Sequence, residues 1–316
     1  MTDQKRVFVI GAQGFVGSHA TRALLQDGWV VTAFGPPMAH DGLNDVTDQV
    51  ETVTGSVADL SALTKAIKDS GAGVVISFAA FSSGDGGLAK AGEQDAARAF
   101  NINVEGLRHT FEAALGADVR RVLWASSTTL YGPGALYPNQ PIDEDAPFRP
   151  QLTYGLTKAM AELLSDFYRD RTGLDAVSVR LPLIFGPGLW YRGAAAELVA
   201  LFEAAATRAP HTLRGPKALI DLMYAPDAGR AFAVLAAHSS PLAGRYNING
   251  FTTTFPEIAD CVVGLAPGFA PLFEEIPAPV TYPLITAERI ARDTGFQPAF
   301  TLATSVADYL KTLKES

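Results

Sequence analysis

Val7-Phe8-Val9-Ile10-Gly11-Ala12-Gln13-Gly14-Phe15-Val16-Gly17 decides the fold. Its first four residues form an apolar run of strand length, bounded by glycine. Gly11, Gly14 and Gly17 then fall where a chain must turn tightly, let its backbone approach a pyrophosphate and pack a helix closely on a strand. A helical pattern follows and stops at Gly28. A helix that begins at such a turn offers unpaired N–H groups and a partial positive charge to phosphates. Glycines of this kind also occur in ordinary turns. It is their place between a first strand and a helix that points to a dinucleotide.

Outward from this stretch, 29–34, 50–55, 74–78, 121–125 and 176–181 read as strands, and 60–70, 95–115 and 154–172 as helices. The alternation predicts an α/β fold with a parallel sheet covered by helices on both faces. Right-handed crossovers make it a doubly wound Rossmann arrangement. Past Leu181 prolines and glycines thicken (Pro182, Gly186, Pro187, Gly188) and the alternation dissolves, so a smaller, irregular C-terminal lobe is expected to close over the strand ends. The expected division is a dinucleotide-binding domain over 1–182, with a return segment near 219–240, and a mainly substrate-binding lobe over 183–316.

The chain has 316 residues, 48% hydrophobic and 18% charged, a globular composition with room for one large domain or two lobes. A formal net charge of −8 argues against nucleic acid as a partner. The apolar runs are strand-sized, far short of a membrane span, and the glycines after Ile10 cut off the apolar run that follows Lys5-Arg6 too early for a signal peptide. The lone Cys261 leaves no intrachain disulfide and fits a cytoplasmic location. The five histidines show no metal-ligand spacing, so no metal site is expected.

A second stretch, Thr153-Tyr154-Gly155-Leu156-Thr157-Lys158, places a tyrosine and a lysine at i and i+4 on one helix face. A free phenol has a pKa near 10, and an adjacent ammonium favours its ionised form. The pair therefore predicts a tyrosine of lowered pKa, suited to proton transfer. A third stretch, Ala125-Ser126-Ser127-Thr128-Thr129, sets hydroxyls at the carboxyl end of a strand, where a substrate would lie.

In this order and at these distances, the three stretches resemble the extended short-chain dehydrogenase/reductase family, which includes the NAD-dependent epimerase/dehydratases. The likeness covers essentially the whole chain. It extends to Asn103-Val104-Glu105-Gly106, to 180–188, to Asp221-Leu222-Met223-Tyr224, to 246–250 and to 294–298. It implies that Tyr154 is the general acid/base and that Lys158 lowers its pKa and holds the nicotinamide ribose. Ser127 would hydrogen-bond the reacting oxygen, and Asn103 would help position the lysine. For the cofactor it implies a wall running from Gly11, Gln13, Gly14, Phe15, Val16 and Gly17 to Gly35, Ser56 and Val57. Phe78, Ala79 and Ala80, then Ala125, Leu181 and Leu183, would complete that wall. Candidate substrate contacts are Phe81, Ser82, Ser127, Thr128, Thr129 and Arg192, with Arg214 as a second carboxylate-binding arginine.

The departures narrow the activity. The acid that usually reads the ribose of NAD at the end of the second strand is replaced by Gly35, followed by Pro36-Pro37, with no arginine for a 2′-phosphate. The balance between NAD and NADP tilts slightly to NADP. Thr128 and Thr129 stand where dehydratases of the family carry an Asp-Glu pair, which argues against water elimination. Ile220 and Leu183 replace two polar contacts used for sugar-nucleotide diphosphates, which favours a smaller or less charged substrate. The leading expectation is a dehydrogenase/reductase acting on a small polyol, sugar, sugar acid or related metabolite. The alternatives are a sugar-nucleotide epimerase with tightly held NAD, and a cofactor-binding regulatory protein without turnover. The resemblance also implies a homodimer through the helices near 97–115 and 154–172.

Overall fold

Alternation along the first strand sets the two layers of the molecule, which a computed structural model describes for residues 5–83, 86–191, 193–278 and 280–315. In β1 (Arg6–Ile10), Val7 and Val9 face one core and Phe8 and Ile10 the other. Fully burying each such side chain stabilises the fold by about 1.5–3 kcal/mol. The chain continues through α1 (Phe15–Gln26), β2 (Val30–Gly35), β3 (Val50–Thr54), α2 (Leu60–Ser70) and β4 (Val74–Ser77). Next come α3 (Gly87–Gln94), α4 (Ala96–Phe100), a π turn at Asn101–Glu105, α5 (Gly106–Leu115), β5 (Arg121–Ser127), α6 (Thr153–Thr172) and β6 (Asp175–Leu181). The helix expected over 95–115 is thus interrupted by a wider turn that carries Asn103.

Beyond β6 lie β7 (Leu183–Phe185), α7 (Ala196–Thr207), β8 (Thr212–Gly215), β9 (Ile220–Tyr224), α8 (Ala225–Ala237) and β10 (Arg245–Asn247). The chain ends with β11 (Phe251–Thr253), α9 (Phe255–Leu265), β12 (Leu272–Glu275), α10 (Glu288–Thr294) and α11 (Leu302–Glu315). The main sheet has seven parallel strands in the order β10-β6-β5-β4-β1-β2-β3. Its order reverses between β1 and β4, and ligands of such sheets bind outside the strand ends at that crevice.

The segment past Leu181 is more regular than its prolines and glycines suggest. A three-stranded sheet (β11-β9-β7) and a parallel pair (β12-β8) pack with α7, α9 and α11 around Phe185, Phe202 and Tyr309. Pro182 lacks an N–H and stands where the chain leaves the main sheet after β6 to enter the second sheet as β7. Pro226 and Pro256 sit at the first positions of helices, where no N–H is required. The return to the main domain is made by α8, which packs in the α1 core, and by β10, which lies beyond the expected 219–240. Residues 220–224 instead form the middle strand of the second sheet.

Candidate active site

The carboxyl ends of β1, β2, β4, β5 and β6 open into a cleft of about 330 Å³. One end is walled by Gly35, Ser56 and Val57. Its middle is formed by Gly11, Gly14, Phe15, Val16 and Gly17, with Phe78, Ala79 and Ala80 from the chain after β4. At the inner end Ala125, Leu181, Tyr154 and Lys158 come together. A dinucleotide fits this wall. A Cβ on Gly17 would stand 2.1 Å from the Gly11 carbonyl oxygen, so only glycine lets α1 begin so close to the turn. The first N–H groups of α1 have no partners within the helix and face the site of a pyrophosphate.

Three cofactor candidates do not line the cleft. Leu183 packs between the cores of the two sheets. Gln13 is buried behind the glycine turn with its amide directed at Gly35. Asn103 lies one layer deeper, where Oδ1 accepts from the Phe81 N–H at 2.7 Å and Nδ2 donates to Thr157 Oγ1 at 3.0 Å. It therefore ties the chain after β4 to α6 one residue before Lys158, and its hold on the lysine is indirect. Asp59, near Ser56, caps α2 by accepting from Ala62 N–H at 3.0 Å.

Among the substrate candidates, Ser82 lines the cleft, while Phe81 is turned inward against Ala91 and Ala99. The Ser127 hydroxyl accepts from Thr129 N–H at 3.2 Å and from Thr129 Oγ1 at 3.0 Å, and Thr128 is buried beside them. Arg192 lies outside the described residues. Arg214 is on the surface of the second lobe, paired with Glu274 at 2.8 Å, away from the cleft.

The electrostatics differ from expectation at Tyr154. Its pKa is raised above the ordinary tyrosine range, because burial disfavours the phenolate and the Tyr191 and Tyr282 phenols add to the effect. The Ser127 hydroxyl acts the other way, favouring the ionised form. The Lys158 ammonium is itself buried, which pushes its pKa down to about 8 against the supporting charge of Glu162. Lys158 Nζ donates to the Ala125 carbonyl at 2.6 Å and stands 5.6 Å from the Tyr154 ring centre. Helix spacing put the two side chains on one face as expected. Dehydration of the whole site, which spacing does not report, sets the direction of the Tyr154 shift, and what opposes it is the Ser127 hydroxyl.

Two aromatic wall residues, Trp190 and Tyr191, come from the loop between β7 and α7. Tyr191 meets Phe15 edge to face, and Trp190 stacks on His40 from the loop after β2. Their presence in a stretch dense in proline and glycine was the available signal, but an aperiodic loop gives no direction to a side chain.

A family model described as the NAD dependent epimerase/dehydratase family matches residues 7–249. The D-erythronate dehydrogenase of Cupriavidus necator is 34% identical over 191 residues, which are 56% of this chain and 55% of that protein. The UDP-glucose 4-epimerase of Lactobacillus helveticus is 28% identical over 176 residues, 55% of this chain and 50% of that protein. The chain thus matches about half the length of these curated relatives. The L-threonine dehydrogenase of Clostridium difficile superposes with a TM-score of 0.86 at 23% identity, over 99% of this chain and 98% of that one. At that identity the likeness establishes the fold.

Proposed function

The chain belongs to the NAD dependent epimerase/dehydratase family, and from that premise we propose that it is an NAD(P)-dependent dehydrogenase/reductase acting on a hydroxyl or carbonyl carbon of a small polyol, sugar or sugar acid. One observation carries the proposal. Tyr154 and Lys158 line the inner end of the cleft, and the Ser127 hydroxyl, hydrogen-bonded to the Tyr154 phenol just outside that lining, stands beside Thr128 and Thr129 and not beside an acid pair.

The nicotinamide, when bound, supplies the hydride acceptor or donor. The protein does the rest through position and charge. Ser127 holds the reacting oxygen by hydrogen bonding, and Tyr154 exchanges the proton at that oxygen. In the reducing direction the raised pKa of Tyr154 suits it as the acid, since its proton is present at neutral pH. In the oxidising direction the phenol must first ionise, and the Lys158 charge is then the nearest compensation. Tyr191, whose phenol acts on Tyr154, covers the same end and keeps water from the reacting atoms.

A second possibility, a sugar-nucleotide epimerase that returns the hydride to the opposite face, is favoured by the likeness to the Lactobacillus enzyme. Ile220 and Leu183, apolar where a diphosphate would need donors, weigh against it. A screen of sugars, sugar acids and polyols with each cofactor, followed at the nicotinamide absorbance, separates the two. Net cofactor turnover supports the dehydrogenase, and isomerisation without net reduction supports the epimerase.

We further propose a cytoplasmic homodimer with a catalytic domain over 1–182 and its return segments, and a substrate lobe over the remainder. The outer face of α6 carries Leu156, Met160, Leu163 and Phe167, all exposed, at the spacing of one helical stripe. Leu163 and Phe167 are more than half exposed. A second copy would bury that stripe as a helix bundle. No helix among the described residues is long and apolar enough to cross a membrane.

A further inference from the structure

At the carboxyl end of β2, Gly35 supplies no side chain to read a ribose. The space it leaves is taken by another residue. Gln13, from the turn between β1 and α1, directs its amide there, and Oε1 stands 3.2 Å from the position a Cβ on Gly35 would occupy. Gln13 is only 8% exposed, and Oε1 has no hydrogen-bond partner among the described residues. The residue is held from behind, since its carbonyl accepts from Gly42 N–H at 2.9 Å. A buried amide oxygen without a partner is destabilising, so its retention points to a ligand that completes it.

We propose that Gln13, whose amide lies just behind Gly35 at the edge of the cleft, turns toward the ribose when the dinucleotide binds, stands in for the missing strand-end carboxylate and bonds the adenosine ribose 2′-hydroxyl, making the chain specific for NAD over NADP. This inference rests on the dinucleotide function proposed above and deepens it. A 2′-hydroxyl can donate to the amide oxygen. A 2′-phosphate has only acceptors for Oε1 and needs charge-assisted donors to leave water. Phe34, Gly35, Pro36, Met38 and Ser56 at that end of the cleft carry no positive charge. Arg22 is engaged with Asp45 (Nε to Oδ2, 3.0 Å) and with the Gly42 carbonyl. The absent acid at 35, which by itself tilts the choice toward NADP, is thus answered by a neutral acceptor 22 residues earlier. Gly35 and Gln13 are also coupled, because an aspartate at 35 would force the amide to move.

Equilibrium titration of the full chain with NADH and NADPH, followed by nicotinamide fluorescence without substrate, tests the assignment. The natural protein should bind NADH at least about tenfold more tightly. Gln13→Ala should lose about tenfold in NADH affinity and little in NADPH affinity. The double variant Gly35→Asp with Gln13→Ala should regain NADH binding and bind NADPH worse still. If neither nucleotide binds the natural protein, the dinucleotide function itself falls. If both bind but NADPH binds as tightly as NADH, or Gln13→Ala leaves NADH affinity within about twofold in a protein that melts normally, the role of Gln13 is overturned while the function stands. Should Gln13→Ala not fold, Gln13→Glu replaces it. That near-isosteric variant should keep NADH affinity and weaken NADPH, and an equal loss of both overturns the assignment.

Discussion

Neutralising Glu162 would reveal how the protein keeps a charged lysine in a dry site. Glu162 follows Lys158 by one turn of α6 and is 1% exposed. Its Oε1 accepts from Ser126 Oγ at 2.7 Å and from Arg180 Nε at 2.8 Å, and its Oε2 accepts from Arg180 Nη2 at 2.5 Å. Arg180 is fully buried, so Glu162→Gln leaves a guanidinium sealed in the core without its counter-charge. Breaking a buried pair from one side costs about 3–5 kcal/mol. At roughly 2 °C per kcal/mol for a chain of this size, the melting temperature should fall by about 6–10 °C. The same carboxylate supports the charge of Lys158, which burial has already pushed down to about 8. Without it the lysine should lose its proton at a lower pH. Replacing both partners with apolar residues (Glu162→Leu with Arg180→Met) should restore most of the stability, since the two charges no longer need each other. It should not restore the lysine, which still lacks its carboxylate. Thermal melting reads the first quantity. The second is read by NMR titration of ¹³C-labelled lysine side chains, with Lys158 assigned by its loss in Lys158→Met. A melting point within about 2 °C of the natural protein for Glu162→Gln, or an unmoved Lys158 titration, would refute the reasoning.

Other consequences can be checked directly. Tyr154→Phe should lower kcat by about 10²–10⁴ while leaving nucleotide binding intact, and equal rates for both proteins would remove Tyr154 from proton transfer. Because burial raises the Tyr154 pKa, oxidation should accelerate as pH rises across neutrality while reduction, whose acid stays protonated there, keeps its rate, read from initial rates in both directions. His19 has its pKa pushed down to about 4 by burial, with Nε2 bonded to the Pro187 carbonyl at 2.9 Å. Its contribution to stability is full above its unfolded pKa of about 6.5 and is lost as pH falls toward about 4, so the stability gap between natural protein and His19→Gln should narrow over that window in denaturant titrations. Leu163→Glu with Phe167→Glu should convert the proposed dimer to monomer in sedimentation velocity, and an unaltered dimer would place the interface elsewhere.

Local spacing was enough for the parts of this protein whose physics is local. The strand-turn-helix at 7–17 could be read because a short apolar run, glycines and a helical period all lie within one stretch of chain. Tyr154 and Lys158 could be placed on one face because the helix repeat alone puts them there. The doubly wound order followed from alternation of strand and helix, with handedness removing the competing topologies. Tertiary structure decided the rest. The three residues of β10 carry too little pattern to reveal that they join β6 at the edge of the main sheet. Phe81 turns inward because Asn103 holds its N–H and Ala91 and Ala99 receive its ring. Trp190 and Tyr191 reach the cleft through a loop whose path no period describes. Even the sign of the Tyr154 shift was a tertiary property, since it depends on how much water the folded chain excludes from both members of the pair. So was the answer to the missing acid at 35, because a glutamine far back in the chain meets that space only when β1 and β2 lie side by side. Sequence specifies which groups are available and which share an element. Burial and the meeting of distant segments, which set a group's charge and its partner, exist only once the chain has closed on itself.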